Sequence, residues 1–147
     1  MLTKIDAVLQ HKGRTVWSVP TEATVHDAVE LMAAKRIEAL LVLSGDKLVG
    51  ILTERDCARR VTLKGADARS VPVTDVMTSP VVFVEPSQTV GDCLKILSGR
   101  GIAHLPVLSG GAVVGIVSMG DLVNAIIRDQ HHTIGHFEGY FTGKYPG

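Results

Sequence analysis

Gly50-Ile51-Leu52-Thr53-Glu54-Arg55-Asp56 is answered 65 positions later by Gly115-Ile116-Val117-Ser118-Met119-Gly120-Asp121. In both stretches a glycine leads two apolar residues, a hydroxyl side chain follows, and an aspartate stands three positions beyond it. That pattern reads as a buried strand running directly into a helix N-terminus. The match extends outward: aligned without a gap, residues 24–56 and 89–121 share 13 identities over 33 positions. Ordinary residue frequencies would supply roughly two or three. An internal duplication of this strength decides the architecture before any chemistry is considered.

In the first copy, residues 4–11 read as a short amphipathic helix with Ile5, Val8 and Leu9 on one face, and Val16 to Val19 as a short strand ending at Pro20. Thr24 caps a helix whose apolar stripe is Val25, Ala28, Val29 and Met32. Lys35 and Arg36 close it at the negative end of its dipole. The run Ala39 to Leu43 is too short for a helix and suits a strand covered on both faces. Ser44-Gly45-Asp46 turns the chain back into Leu48 to Leu52. Thr53 then opens a helix with Cys57, Ala58 and Val61 inward and Arg59, Arg60 and Lys64 outward. In the second copy Val73, Val81 and Thr89-Val90 take the places of Val8, Val16 and Thr24-Val25. The stripe becomes Val90, Cys93, Leu94 and Leu97, and the strands His104 to Leu108 and Val113 to Val117 flank Ser109-Gly110-Gly111.

The expected division is repeat 1 at 8–63, a polar linker at 64–72, repeat 2 at 73–128 and a helical tail at 129–147. The expected fold class is α/β (α+β), two β-α-β-β-α units packed sheet to sheet about a pseudo-twofold axis. One unit of roughly 60 residues alone makes a weak core, and pairing two cures that. The cleft between the repeats is where a small ligand is expected.

Composition narrows the function classes. Fifteen Lys and Arg balance fifteen Asp and Glu, so no whole-protein field gathers nucleic acid or an anionic membrane. The densest basic group, Arg55, Arg59, Arg60, Lys64 and Arg69, has no interleaved aromatics and reads as a solvated face rather than a nucleic-acid platform. Cys57 and Cys93 form no CxxC pattern and read as small buried hydrophobes. No run approaches the roughly 20 apolar residues of a membrane span, and no leader-like segment opens the chain, so a cytoplasmic setting is expected. Neither a Walker glycine loop nor a G-x-G-x-x-G after a strand is present. A hydrolytic triad of Ser118, His104 and Asp121 lacks a nucleophile elbow, and Ser118 reads better as a helix cap.

The pairs Thr53/Asp56 and Ser118/Asp121 have two readings. As capping boxes, the hydroxyl accepts from the backbone three residues on and the carboxylate reaches back. As a ligand corner, the carboxylate accepts both hydroxyls of a ribose, the helix N-terminus receives a phosphate, and Arg55 clamps it.

At these residues the chain resembles a known family, the tandem CBS-domain pair or Bateman module, of the small stand-alone bacterial type. The resemblance rests on Gly101-Ile102-Ala103-His104-Leu105-Pro106-Val107 followed by Gly115 to Asp121, with Arg36 to Val42 and Gly50 to Asp56 as the second copy. It covers roughly residues 8–128. It implies a non-catalytic sensor that binds an adenine nucleotide in the inter-repeat cleft: AMP first, with ADP, ATP, NAD(H) or S-adenosylmethionine as alternatives. Asp121 and Asp56 would take the ribose, Ser118 and Thr53 the ribose or phosphate, and His104 and Arg55 the phosphate. Adenine would lie against Val81, Val82, Ile102 and Ile116, with Pro106 part of the matching strand. Gly101, His104 and Pro106 are replaced by Arg36, Ala39 and Leu41 in the first copy, so the resemblance ranks the Asp121 site first, with Arg55 reaching across to its ligand.

With no catalytic or transporter segment in these residues, output is expected to act in trans on a protein partner. The competing class is a ligand-free structural or protein-interaction module whose corners only cap helices, and a third class is an NAD(H)-binding, redox-linked sensor. Toward the C-terminus, His132 and His136 stand one helical turn apart beside His131, a metal-chelating spacing with no Cys near it and with Glu138 as a neighbouring carboxylate. Ile126, Ile127, Ile134, Phe137, Tyr140 and Phe141 form an apolar stripe expected to clasp a second copy in a homodimer.

Overall fold

The computed structural model describes residues 2–133, with side chains through residue 130. The side chains of the His131/His132/His136 group and the aromatic stripe from Ile134 onward lie outside the described residues. The elements are α1 (Ile5–Lys12), β1 (Ser18–Pro20), α2 (Val25–Lys35), β2 (Ala39–Ser44), β3 (Lys47–Thr53), α3 (Glu54–Cys57), α4 (Val90–Arg100), β4 (His104–Ser109), β5 (Ala112–Ser118) and α5 (Met119–Thr133). The fold is α+β, two small sheets with helices. One sheet has the order β1-β2-β3 and the other is the hairpin β4-β5.

The duplication holds at the level of register. Ala39 faces Thr53 in one hairpin and His104 faces Ser118 in the other, and both ladders slip at the same place, Val42/Leu43 and Val107/Leu108. One strand breaks the symmetry. β1 pairs in parallel with β2 over three residues, and the Leu41 amide donates to the Trp17 carbonyl at 3.2 Å. Pro106 stands at the position of Leu41 and has no N–H to donate. The second repeat's outer segment accordingly joins its sheet only at the bridge Val84–Val107.

Alternation along β2 builds two interfaces at once. Leu40 and Val42 enter the first core with Val25, Ala28 and Met32. Leu41 points the other way, is fully buried, and belongs to neither core, which places it between the repeats. Pro106, its counterpart on β4, is buried as well.

The two cores exchange their leading segments. Ile5, Val8 and Leu9 of α1 pack with Leu105, Val117 and Leu122 of the second repeat, while Val73 and Val76 pack into the first. Backbone bonds fasten each exchange: the Ile5 amide to the Gln88 carbonyl (2.8 Å) on one side, the Val25 amide to the Val71 carbonyl (2.8 Å) on the other. Two glycines permit the close approach. A Cβ at Gly115 would sit 2.6 Å from Leu9 Cδ2, and one at Gly50 would sit 2.2 Å from Met77 Sδ.

Two expected core residues face solvent. Val29 is 42% exposed, because α2 buries the narrower stripe Val25, Ala28 and Met32. Ala58 is exposed while Val61 stays buried. After four residues α3 widens into a π-helical turn, Ala58–Thr62, and the 3.6-residue period no longer says which side chain points inward. Cys57 and Cys93 are buried, and desolvation, aided by neighbouring carboxylates, pushes both thiols up to about 11.

Candidate functional site

Four helices begin with the same box. Thr24/Asp27, Thr53/Asp56, Thr89/Asp92 and Ser118/Asp121 each close it, hydroxyl accepting from the aspartate amide and carboxylate accepting from the cap amide. At these four helix starts the hydroxyl-x-x-aspartate pair is therefore a capping device, and Thr53 and Ser118 both cap. What separates the corners is placement. Asp27 and Asp92 are exposed on the outside of the helices, whereas Asp56 and Asp121 are half-buried at inter-repeat clefts.

There are two such clefts, exchanged by the pseudo-twofold, with Glu38, Ala103 and His104 in the wall of both. The larger, about 770 Å³, gathers Thr53, Arg55 and Asp56 from the first repeat with Val81, Val82 and Ile102 from the second. The other, about 550 Å³, gathers Ile116, Ser118 and Asp121 with Trp17, Arg36 and Lys12. The residues expected to build one site are thus divided. Val81, Val82 and Ile102 wall the Asp56 cleft, not the Asp121 cleft, and Arg55 lines the cleft of its own neighbour Asp56 instead of reaching across to Asp121. Pro106 lines neither and acts within its sheet.

Charge differs between the clefts. In the Asp56 cleft, Asp56 Oδ2 receives the cap amide at 3.3 Å, and no cation pairs with it among the described residues. Arg55 and Arg100, also in its wall, make no ion pair among the described residues. In the Asp121 cleft, Asp121 Oδ2 receives the Ser118 amide at 2.8 Å and the Lys12 ammonium at 2.7 Å. Burial pulls the Asp121 carboxyl up, but the Lys12 hydrogen bond and charge and the Ser118 bonds outweigh it and leave the group below the usual carboxylate range. His104 moves the other way. Desolvation lowers its pKa against the pull of Glu38 and Asp121, with Lys12 adding to the lowering, so the ring is neutral at pH 7. It offers a hydrogen bond there, not a positive charge.

Several wall residues escaped the sequence reading: Lys12, Trp17, Arg36, Glu38 and Arg100. Trp17 stands 65 positions before Val82, an expected wall residue, so for Trp17 the internal alignment carried the signal. Arg36 adopts φ 56°, the left-handed helix-terminating conformation that Gly101 adopts with φ 63°. Lys35 lies over the Trp17 ring at 4.3 Å. Among the described residues no group of three His, Cys, Asp or Glu is placed to hold a metal, and no helix is long and apolar enough to cross a membrane.

Two α+β repeats with exchanged leading segments and twin inter-repeat clefts define a tandem-repeat module. Residues 13–62 and 73–128 each match the family model of the CBS domain, and the chain belongs to that family as a tandem pair. Such pairs are typically regulatory and ligand-binding. The chain is similar to a solved CBS-domain protein from Burkholderia ambifaria, with 44% identity, a TM-score of 0.84, and 87% of this chain and 96% of that one covered. It is 31% identical to the mitochondrial CBS domain-containing protein CBSX3 of Arabidopsis thaliana over 97% of this chain and 74% of the relative. It is 34% identical to the CBS domain-containing protein YhcV of Bacillus subtilis over 73% of this chain and 76% of the relative.

Proposed function

We propose that the chain is a non-catalytic regulatory module that holds an adenine nucleotide, AMP first, in the Asp56 cleft and reports occupancy through the relation between its repeats. The observation that carries this reading is the combination in that cleft of a half-buried carboxylate and two arginines, none of them in an ion pair among the described residues, with an apolar wall. Each matches one part of a nucleotide. Asp56 accepts the ribose hydroxyls, Arg55 and Arg100 meet the phosphate, and Val81, Val82 and Ile102 cover the base. Because first-repeat and second-repeat residues line one cavity, a ligand that touches both favours one relative arrangement of the repeats. A partner protein then reads that arrangement.

A second reading has its own support. Since all four boxes cap helices, two of them outside both inter-repeat clefts, the corners need no ligand to explain their sequence. On that reading the protein is an interaction module.

Thermal unfolding against AMP, ADP, ATP, NADH and S-adenosylmethionine separates the two. A ligand at 100 times its Kd stabilises the fold by about 2.7 kcal/mol. AMP should raise the midpoint, and Asp56→Asn, which keeps the cap, should remove the rise. If no compound in the panel shifts the midpoint, the nucleotide reading falls.

A further inference from the structure

Lys12 is the last residue of α1, and its ammonium donates at once to Asp121 Oδ2 (2.7 Å) and to the Ile116 carbonyl (2.7 Å). The paired side chains are only 29% and 22% exposed, so the contact lies in the cleft wall rather than on the open surface. Its backbone is anchored. Ile5, Val8 and Leu9 bury α1 in the second core, Leu9 lies against Gly115 on the strand that carries Ile116, and the Asp6 amide bonds the Pro86 carbonyl at 3.0 Å.

Among the described residues no cation bonds Asp56 at the other corner. Sixty-five positions after Lys12 stands Met77, whose side chain turns onto Gly50. The two aspartates therefore share a strand-to-helix corner and a capping box, and they differ in that Asp121 already holds a tethered ammonium.

We propose that Lys12 is a built-in occupant of the Asp121 corner, so that in the unmodified chain nucleotide enters the Asp56 cleft alone, one molecule per chain. The proposal rests on the adenine-nucleotide reading above and deepens it. A ribose reaching Asp121 must displace an ammonium that makes two charge-assisted hydrogen bonds and is held at high effective concentration by its anchored helix. At Asp56 nothing has to leave. Lys12 thus sets stoichiometry and selectivity. Lys12→Met, which copies the opposite corner, frees the second aspartate.

The test is calorimetric titration of the full chain with AMP, using the wild type, Asp56→Asn, Lys12→Met and the double variant. The expected result is one site in the wild type, no binding in Asp56→Asn, two sites in Lys12→Met and one in the double variant. Affinity at Asp121 should improve at least about tenfold on loss of the ion pair. Two findings would overturn the proposal: wild-type binding that depends on Asp121 instead of Asp56, or a double variant that binds no more tightly than Asp56→Asn. If none of the four proteins binds AMP, the nucleotide reading fails first, and the Lys12 contact is judged in the free protein. Lysine-ammonium NMR should then show one exchange-protected signal that Asp121→Asn removes, and its absence from the wild type sinks the occupant as well.

Discussion

The two strand-to-helix corners are built alike and finished differently. Thr53/Asp56 and Ser118/Asp121 close the same box at the same place in the same register. Around Asp56 the structure gathers Arg55, Arg100 and an apolar wall, and around Asp121 it gathers Trp17, Arg36 and the bound ammonium of Lys12. A duplicated scaffold thus preserves backbone geometry while the residues delivered by other elements decide what each copy can bind. The aspartate is common property; its neighbours are not.

The largest test of this contrast is mechanical. Leu9→Ala empties a fully buried site beneath Gly115 and should cost about 3 kcal/mol in urea unfolding. The loss belongs to the second core even though Leu9 lies in the first part of the chain. Hydrogen exchange should therefore speed up first in β4 and β5, and equal loosening of β2 and β3 would contradict the exchange of segments.

A smaller effect is expected where α2 and α4 end. Arg36 and Gly101 occupy the same left-handed conformation, which costs a side-chain-bearing residue about 1 kcal/mol. Arg36→Gly should stabilise the protein by about that much, and Gly101→Arg should destabilise it similarly. If Arg36→Gly destabilises instead, the guanidinium contributes more to the Asp121 cleft than its backbone strain takes away.

The smallest effect is the pH response of the shared wall. Burial lowers the pKa of His104, with Lys12 acting in the same direction and Glu38 and Asp121 opposing. A depressed folded pKa means that stability is fully present above the unfolded value near 6.5 and is lost as pH falls through the folded value. His104→Gln should flatten the decline between pH 7 and 5, measured by urea midpoints. An unchanged slope would show that His104 is not its source.

Much of this was legible along the chain. The 65-residue offset predicted both hairpins, both capped helices and both corners, because each depends on contacts within about 15 residues. Where a local rule failed, a local cause is visible: the π-helical turn at Ala58–Thr62 shifted the helical phase, and Pro106 removed the donor that would have made a third strand in the second sheet. Site membership was less legible. The resemblance put Val81, Val82 and Ile102 in one adenine wall with Ile116, and the structure divides that wall, setting the first three in the Asp56 cleft and Ile116 in the Asp121 cleft.

By itself, then, the sequence determined the duplication, the order of elements and the two aspartates that cap at a cleft, since strand alternation, helical period and capping are short-range physics. Tertiary structure alone decided that α1 belongs to the second core and that Lys12 meets Asp121 across 109 positions. The reason is that an ion pair between distant segments depends on where an apolar helix face finds its partner, and only the packed core brings that helix's end to the carboxylate.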